Sequence, residues 1–180
     1  MPVISGIVLA AGAGTRRGGP KALVPGWLDG ATRLLLEAGC ERVVVVLGAG
    51  ADEARGRLSP DPRIEIRTAI DWAQGMGASL REGLRHATGD AALITLVDLP
   101  GTPATVVDRV LSPSTSSLRV ALRQATYDGR PGHPVLVGAD HWQALSDALE
   151  GDRGARPYLR THGVAEVECG DLHHGRDEDT

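Results

Sequence analysis

The residues between Ala11 and Pro20 include four glycines, two adjacent arginines and a proline, and Lys21 follows at once. Glycines lack a Cβ, so backbone N–H groups here can come close to an anion. Arg16 and Lys21 supply charge that neutralises phosphate. The chain has eighteen arginines but a single lysine, which makes the placement of Lys21 in this loop informative. The chemistry suggested is capture of a phosphorylated ligand. Two common phosphate loops do not fit. A dinucleotide fingerprint needs glycine where Arg17 stands, which argues against a nicotinamide oxidoreductase. A Walker A loop needs Gly-Lys-Ser/Thr, but Pro20 precedes Lys21 and Ala22 follows it. The competing reading is a surface turn joining a strand to a helix.

Asp98, in Val97-Asp98-Leu99-Pro100, follows a second apolar run. A carboxylate at a strand's carboxyl end, near a phosphate loop, suits Mg²⁺, which binds one or two carboxylates plus phosphate oxygens. A turn aspartate is the alternative. Gly129-Arg130-Pro131-Gly132-His133-Pro134 is turn chemistry, and His133 has two readings: contact with an acceptor, or a backbone-satisfied residue in a rigid turn. His173-His174 lies in a polar tail and reads as solvated rather than metal-ligating. Trp72 precedes the Gln74 loop and can shape a pocket; Trp27 and Trp142 read as partial core. Cys40 and Cys169 are too few for a disulfide framework or a four-ligand zinc site, and no partner motif marks either as a nucleophile.

These residues need elements to position them. Val3–Ala10, Arg42–Leu47, Ile64–Thr68 and Ala91–Val97 are strand-sized apolar runs, and helical spacing falls between them at 27–38, 52–58 and 79–86. Thr102 is predicted to cap a helix over 104–111, with Pro103 as its first residue. Ser112–Ser117 reads as a polar loop, 118–125 and 134–137 as strands with a turn at 128–132, 140–149 and 153–162 as helices, and 164–167 as a last strand. Alternation of helices with continuously apolar strands implies an α/β fold, a mostly parallel sheet covered on both faces. Ligands in such folds gather at the strands' carboxyl ends, where the glycine loop and Asp98 both fall.

The 180 residues carry a formal charge of −4 and 42% hydrophobic residues, which suits one folded domain over 1–169 followed by a charged tail over 170–180. Mixed charge offers no basic footprint for nucleic acid. No apolar run approaches a membrane span. Met1–Ser5 lacks the basic start of a signal peptide. A cytoplasmic protein is expected, monomer or homodimer, since nothing in the sequence marks an interface.

Leu-Ala-Ala-Gly-x-Gly-x-Arg over 9–16, followed by Pro20-Lys21-Ala22-Leu23, resembles the nucleotidyltransferases that activate phosphates with NTPs. With Gln74-Gly75-Met76-Gly77-Ala78-Ser79-Leu80, Asp98-Leu99-Pro100, Gly132-His133-Pro134 and the 151–156 stretch, nearly the whole chain is similar to the molybdenum cofactor cytidylyltransferase group. The resemblance implies a Rossmann-like three-layer sandwich of the nucleotide-diphospho-sugar transferase type. It also implies that Gly12 to Lys21 wrap a triphosphate, with Leu9, Ala10, Ala11, Gly12, Ala13, Gly14, Thr15, Gln74, Gly77 and Ser79 around the nucleotide. Lys21 is then expected near the α-phosphate and Arg16 on the β- and γ-phosphates. Mg²⁺ is expected on Asp98 and, as the family's second ligand, Asp177. Gly132 and His133 would line the acceptor pocket. The implied donor is CTP and the implied acceptor a molybdopterin-type cofactor; other phosphate acceptors, or binding without turnover, are the alternatives. Two stretches depart from the family: residues 24–33 and the polar loop at 112–117 are shorter than usual.

Overall fold

The computed structural model describes residues 2–112 and 117–178. The expected polar loop falls largely on 113–116 and the last tail residues on 179–180, outside the described residues. The strands are β1 (Ile4–Ala10), β2 (Arg42–Leu47), β3 (Ile64–Thr68), β4 (Ala91–Leu96), β5 (Leu122–Tyr127), β6 (Arg130–Gly138) and β7 (Ala165–Glu168). The helices are α1 (Trp27–Glu37), α2 (Ala51–Arg55), α3 (Met76–His86), α4 (Ala104–Leu111), α5 (Trp142–Ala148) and α6 (Arg156–Thr161). The strands form one sheet in the order β3-β2-β1-β4-β6-β5-β7. β6 runs antiparallel to both β4 and β5, and the other pairings are parallel.

Burial on both faces explains the apolar strands. Val43, Val45 and Leu47 of β2 face the core that holds buried residues of α1, α2 and α4, while Val44 and Val46 face the core that holds those of α3, α5 and α6. All five are fully buried, and each such side chain contributes about 1.5–3 kcal/mol. A period of two therefore serves two cores at once, giving helix, sheet and helix layers as expected. No helix among the described residues is long and apolar enough to cross a membrane.

Four local expectations need correction. α3 begins at Met76 rather than Ser79, because Gly75 (φ 114°) turns the chain directly into it. Pro103 occupies the cap position of α4, with extended backbone, and Thr102 does not cap; its hydroxyl donates to the Leu99 carbonyl at 2.9 Å. Residues 118–120 form a 3-10 turn before β5 starts at Leu122. The turn expected over 128–132 contracts to Asp128-Gly129, both with positive φ (52° and 73°). That is the mirror-image turn a tight hairpin needs, and it releases Arg130 to Gly132 into β6.

The topology determines which residues share an edge. β1 and β4 both end at the sheet's carboxyl edge. β6 runs the other way, so its start, from Arg130 to His133, lies at that same edge. β5 and β7 run with β4, so Tyr127 and the tail leaving Glu168 arrive there too.

Candidate active site

The glycine loop is a closed turn. The N–H groups of Arg17, Gly18 and Gly19 all donate to the Gly14 carbonyl, at 3.0, 3.0 and 3.2 Å. Gly14 has φ +58°, and a Cβ there would lie 2.0 Å from the Gly19 carbonyl oxygen. Only glycine allows this closure. Behind the loop, Ala49 N–H donates to the Ala11 carbonyl at 3.0 Å. Gly48 lets the Trp72 ring lie against its backbone, since a Cβ would stand 2.5 Å from Trp72 Cγ.

These residues wall a cavity of about 490 Å³. Leu9, Ala10, Ala11, Gly12, Ala13, Gly14, Thr15, Arg16, Lys21, Ser79, Asp98 and Asp177 line it, as the sequence reading expects of nucleotide and metal residues. Gln74 and Gly77 do not line it. Gln74 is exposed in a 3-10 turn. Gly77 faces the 149–151 backbone, where a Cβ would meet the Gly151 carbonyl at 3.1 Å. Trp72, Ala73, Gly75, Met76, Arg17 and Asp152 line the cavity in addition. Trp72 was legible from its place beside the Gln74 loop.

Within the cavity Lys21 Nζ is ion-paired with Asp98 Oδ2. The Arg17 guanidinium carbon sits 4.6 Å from the centre of the Trp27 ring. Its Nη1 donates to the Glu178 carbonyl at 3.4 Å, and Glu178 N–H donates to the Asp98 carbonyl at 3.0 Å. The tail is thus tied back across the site, which brings Asp177 to the same cavity as Asp98. Two carboxylates facing one cavity, with room for phosphate oxygens, are an oxygen-only donor set that fits Mg²⁺. Among the described residues no group of three or more His, Cys, Asp or Glu is placed to hold a metal. His173 and His174 stack on each other, and their Nδ1 atoms accept backbone N–H bonds from Gly175 and Arg176. They shape the tail's turn.

A second cavity of about 720 Å³ adjoins the first. Gly132 and His133 line it as expected, with Gln124 and, from the other side, Arg153, Arg156 and Arg160. Its floor is apolar: Leu80, Ile94, Leu99, Val135 and Leu159. Burial pushes the His133 imidazole down to about 4, against the pull of Asp98 and with some help from Arg156. His133 is therefore neutral near pH 7. The Tyr127 hydroxyl donates to the His133 carbonyl at 2.6 Å, and Gln124 Nε2 donates to the Gly132 carbonyl at 3.1 Å. The three arginines were hidden in the sequence by the abundance of that residue, although the 151–156 stretch carried the resemblance. The cavities share Leu9, Met76, Leu96, Asp152 and Asp177 as lining residues.

Both cysteines are buried. Burial pushes the Cys40 thiol up to about 12, which is wrong for a nucleophile.

The MobA-like NTP transferase domain matches residues 6–167. The chain belongs to that family. It is 37% identical over 192 residues to nicotine blue oxidoreductase of Paenarthrobacter nicotinovorans, across 100% of this chain and 94% of that one. It is 28% identical over 142 residues to the molybdenum cofactor cytidylyltransferase of Escherichia coli K12, across 76% of this chain and 71% of that one. Among solved structures, the Mycobacterium tuberculosis Rv0371c homologue from Mycobacterium sp. strain JC1 superposes with a TM-score of 0.80 at 26% identity, over 98% of this chain and 90% of that one. The sheet and its helices are thus those of this NTP transferase fold.

Proposed function

We propose that the chain is an Mg²⁺-dependent nucleotidyltransferase that moves CMP from CTP onto the phosphate of a molybdopterin-type acceptor and releases pyrophosphate. The observation that carries this is the meeting of two cavities along the carboxylate side of the first. The glycine loop, Arg16 and Lys21 suit a triphosphate in one cavity. The arginine side of the other suits a phosphorylated acceptor. Asp177 borders both. An acceptor phosphate oxygen attacks the α-phosphorus in line, a new P–O bond forms, and the bond to the pyrophosphate oxygen breaks. Protein covalent chemistry is unnecessary; positioning and charge neutralisation suffice. Asp98 and Asp177 hold the cation, which supplies charge neutralisation at the reacting phosphates. Lys21 neutralises charge near the α-phosphate, and Arg16 holds the leaving pyrophosphate. Neutral His133 offers one hydrogen bond to the acceptor without adding charge.

The test is metal-dependent pyrophosphate release, with each NTP and a panel of phosphorylated acceptors. Release with CTP and molybdopterin supports the full reading. Release only with a sugar phosphate or another acceptor moves the acceptor and keeps the reaction. No release, with nucleotide binding intact, points to a binding module.

The 37% identity to a protein named as an oxidoreductase favours a second reading, reduction or oxidation of an extended ring compound in the apolar-floored cavity. Arg17 stands against the usual dinucleotide fingerprint. Oxidation of NADH or NADPH by the purified chain, in the presence of a quinoid dye and without NTP, would favour that reading over nucleotidyl transfer.

A further inference from the structure

Lys21 and Asp98 are the two residues assigned here to opposite tasks, one to phosphate and one to the cation, yet they are ion-paired with each other. The Asp98 side chain is only 9% exposed, and that of Lys21 19%. A carboxylate so withdrawn from water needs a positive partner, because an unpaired buried charge is costly. Asp98 has little freedom to seek another, as its strand end is fixed and its own carbonyl accepts the Glu178 N–H. A lysine ammonium and a divalent cation on the same withdrawn carboxylate repel each other strongly.

On the reading that Asp98 holds the catalytic cation, we propose that Lys21 is its counter-ion in the nucleotide-free protein. Lysine and cation then exclude each other at Asp98 until a triphosphate draws the lysine away. The loop gives the lysine somewhere to go. Its stem passes over Gly14, with Lys21 Cγ 3.5 Å from where a Gly14 Cβ would be, so rotation about the stem would keep the ammonium beside the glycine loop. Lysine suits this exchange, being a point charge on a flexible four-carbon stem. Once Lys21 turns to phosphate, Asp98 is left needing a cation, and Asp177 at the same cavity adds a second carboxylate. Cation and nucleotide thus bind as a coupled pair, each raising the affinity for the other, as linkage requires. The protein does not keep a cation without its nucleotide.

The experiment is a Mn²⁺ titration of the full chain without nucleotide, followed by electron paramagnetic resonance, with thermal melts run alongside with and without Mn²⁺. The variants are Lys21→Met, Lys21→Arg and the double variant Lys21→Met/Asp98→Asn. Wild type and Lys21→Arg are expected to bind Mn²⁺ weakly. Lys21→Met is expected to bind it about tenfold more tightly or better, since removing a like charge from one site relieves a large repulsion. The double variant is expected to lose that gain. Lys21→Met should melt lower than wild type without Mn²⁺ and recover with it, whereas the wild-type melt should barely move. If Lys21→Met does not fold, Lys21→Gln carries the same expectations. Equal or weaker Mn²⁺ binding by the neutral variants overturns the exchange; it leaves the transferase reading standing if wild type still takes up CTP with Mg²⁺ by calorimetry. Failure of every protein to bind Mn²⁺, together with no CTP uptake by wild type, overturns both.

Discussion

Two glycines in one loop should respond oppositely to the same substitution. Gly14 has φ +58°, and an added Cβ meets the Gly19 carbonyl oxygen at 2.0 Å. No side chain can rotate out of the way, because the obstacle is backbone. Gly12 does not have positive φ, and its added Cβ finds nothing within 4 Å. Gly14→Ala carries about 1–2 kcal/mol for left-handed backbone. The steric conflict adds to that unless the loop opens and gives up the bonds from Arg17, Gly18 and Gly19 to the Gly14 carbonyl. At about 1 kcal/mol each, opening caps the total near 3 kcal/mol. The loop is at the surface, so the core should survive, with the melting temperature lowered by about 6–12 °C for a loss of about 3 kcal/mol. Nucleotide affinity should not survive. If the closed loop is the competent state, each ~1.4 kcal/mol by which closing the variant's loop costs more than leaving it open raises Kd for CTP with Mg²⁺ about tenfold, and a backbone overlap at 2.0 Å should carry the loss to about a hundredfold or more. Gly12→Ala should fold and melt as wild type; any loss of affinity there reports the nucleotide's own approach to the backbone. Calorimetric titration with CTP and Mg²⁺, beside urea melts of both variants, measures this. Wild-type affinity in Gly14→Ala, or marked destabilisation by Gly12→Ala, would overturn this account of the loop.

Asp98→Asn should lower pyrophosphate release by at least about a hundredfold, in line with loss of a preorganised charge contact, and leave the circular dichroism spectrum unchanged. Glu168 should govern part of the acid stability. Backbone N–H bonds from Gly170, Gly129 and Asp128, and then the Thr126 hydroxyl, hold its carboxyl down at about 2 against an ordinary 4.5. A depressed folded value means the stabilisation is present above about pH 4.5 and is lost as pH falls toward 2; urea melts of Glu168→Gln should be flatter than wild type across that window. Half-buried His133 is held as the neutral ring by desolvation, at about 4 against an ordinary 6.5, so its contribution is present above pH 6.5 and lost as pH falls through 4. His133→Gln should reduce the pH dependence of stability between those values, and an NMR titration of the His133 ring that charges near 6.5 would contradict the assignment.

The legible part of this molecule was the part where one residue type has few structural uses. Val43 to Leu47 is apolar at every position, and only burial on both faces accommodates that. Four glycines beside the chain's single lysine were legible as a loop after a strand, and the structure closes that loop on the Gly14 carbonyl. Asp98 was legible because a carboxylate directly after a buried strand lies at the sheet's carboxyl edge. The arginine side of the second cavity was less so. Arg156 and Arg160 look like any of the chain's eighteen arginines, and only α6 turning them toward β6 makes them neighbours of His133. Gln74 and Gly77 were placed at the nucleotide by resemblance, yet a 3-10 turn points one outward and helix packing occupies the other. Periodicity gave no sign that Arg130 to Gly132 belong to a strand, because their turn-prone residues are tolerated by a hairpin that closes in two residues.

The edge geometry explains why one family can include proteins named for different reactions. The first cavity is built mainly from β1, its loop and the end of β4, elements tied into the parallel core by fully buried residues such as Ile7, Val8 and Leu93. The second cavity depends on the antiparallel β6, the short helix α6 and a tail pinned at a few points, among them the bidentate pair of Arg109 with Asp171 at 2.5 and 2.9 Å. Its floor, Val135 and Leu159 included, belongs to the core, but its rim at His133, Arg153, Arg156 and Arg160 is half-buried or exposed, so substitutions at the rim disturb few core contacts and leave the glycine loop intact. Function in such a fold has to be argued from the site and not from the fold. The proposed transferase reading gives the Lys21–Asp98 pair a use, since a lysine that leaves the carboxylate for phosphate lets cation and nucleotide bind together; passing a hydride to a ring gives it none.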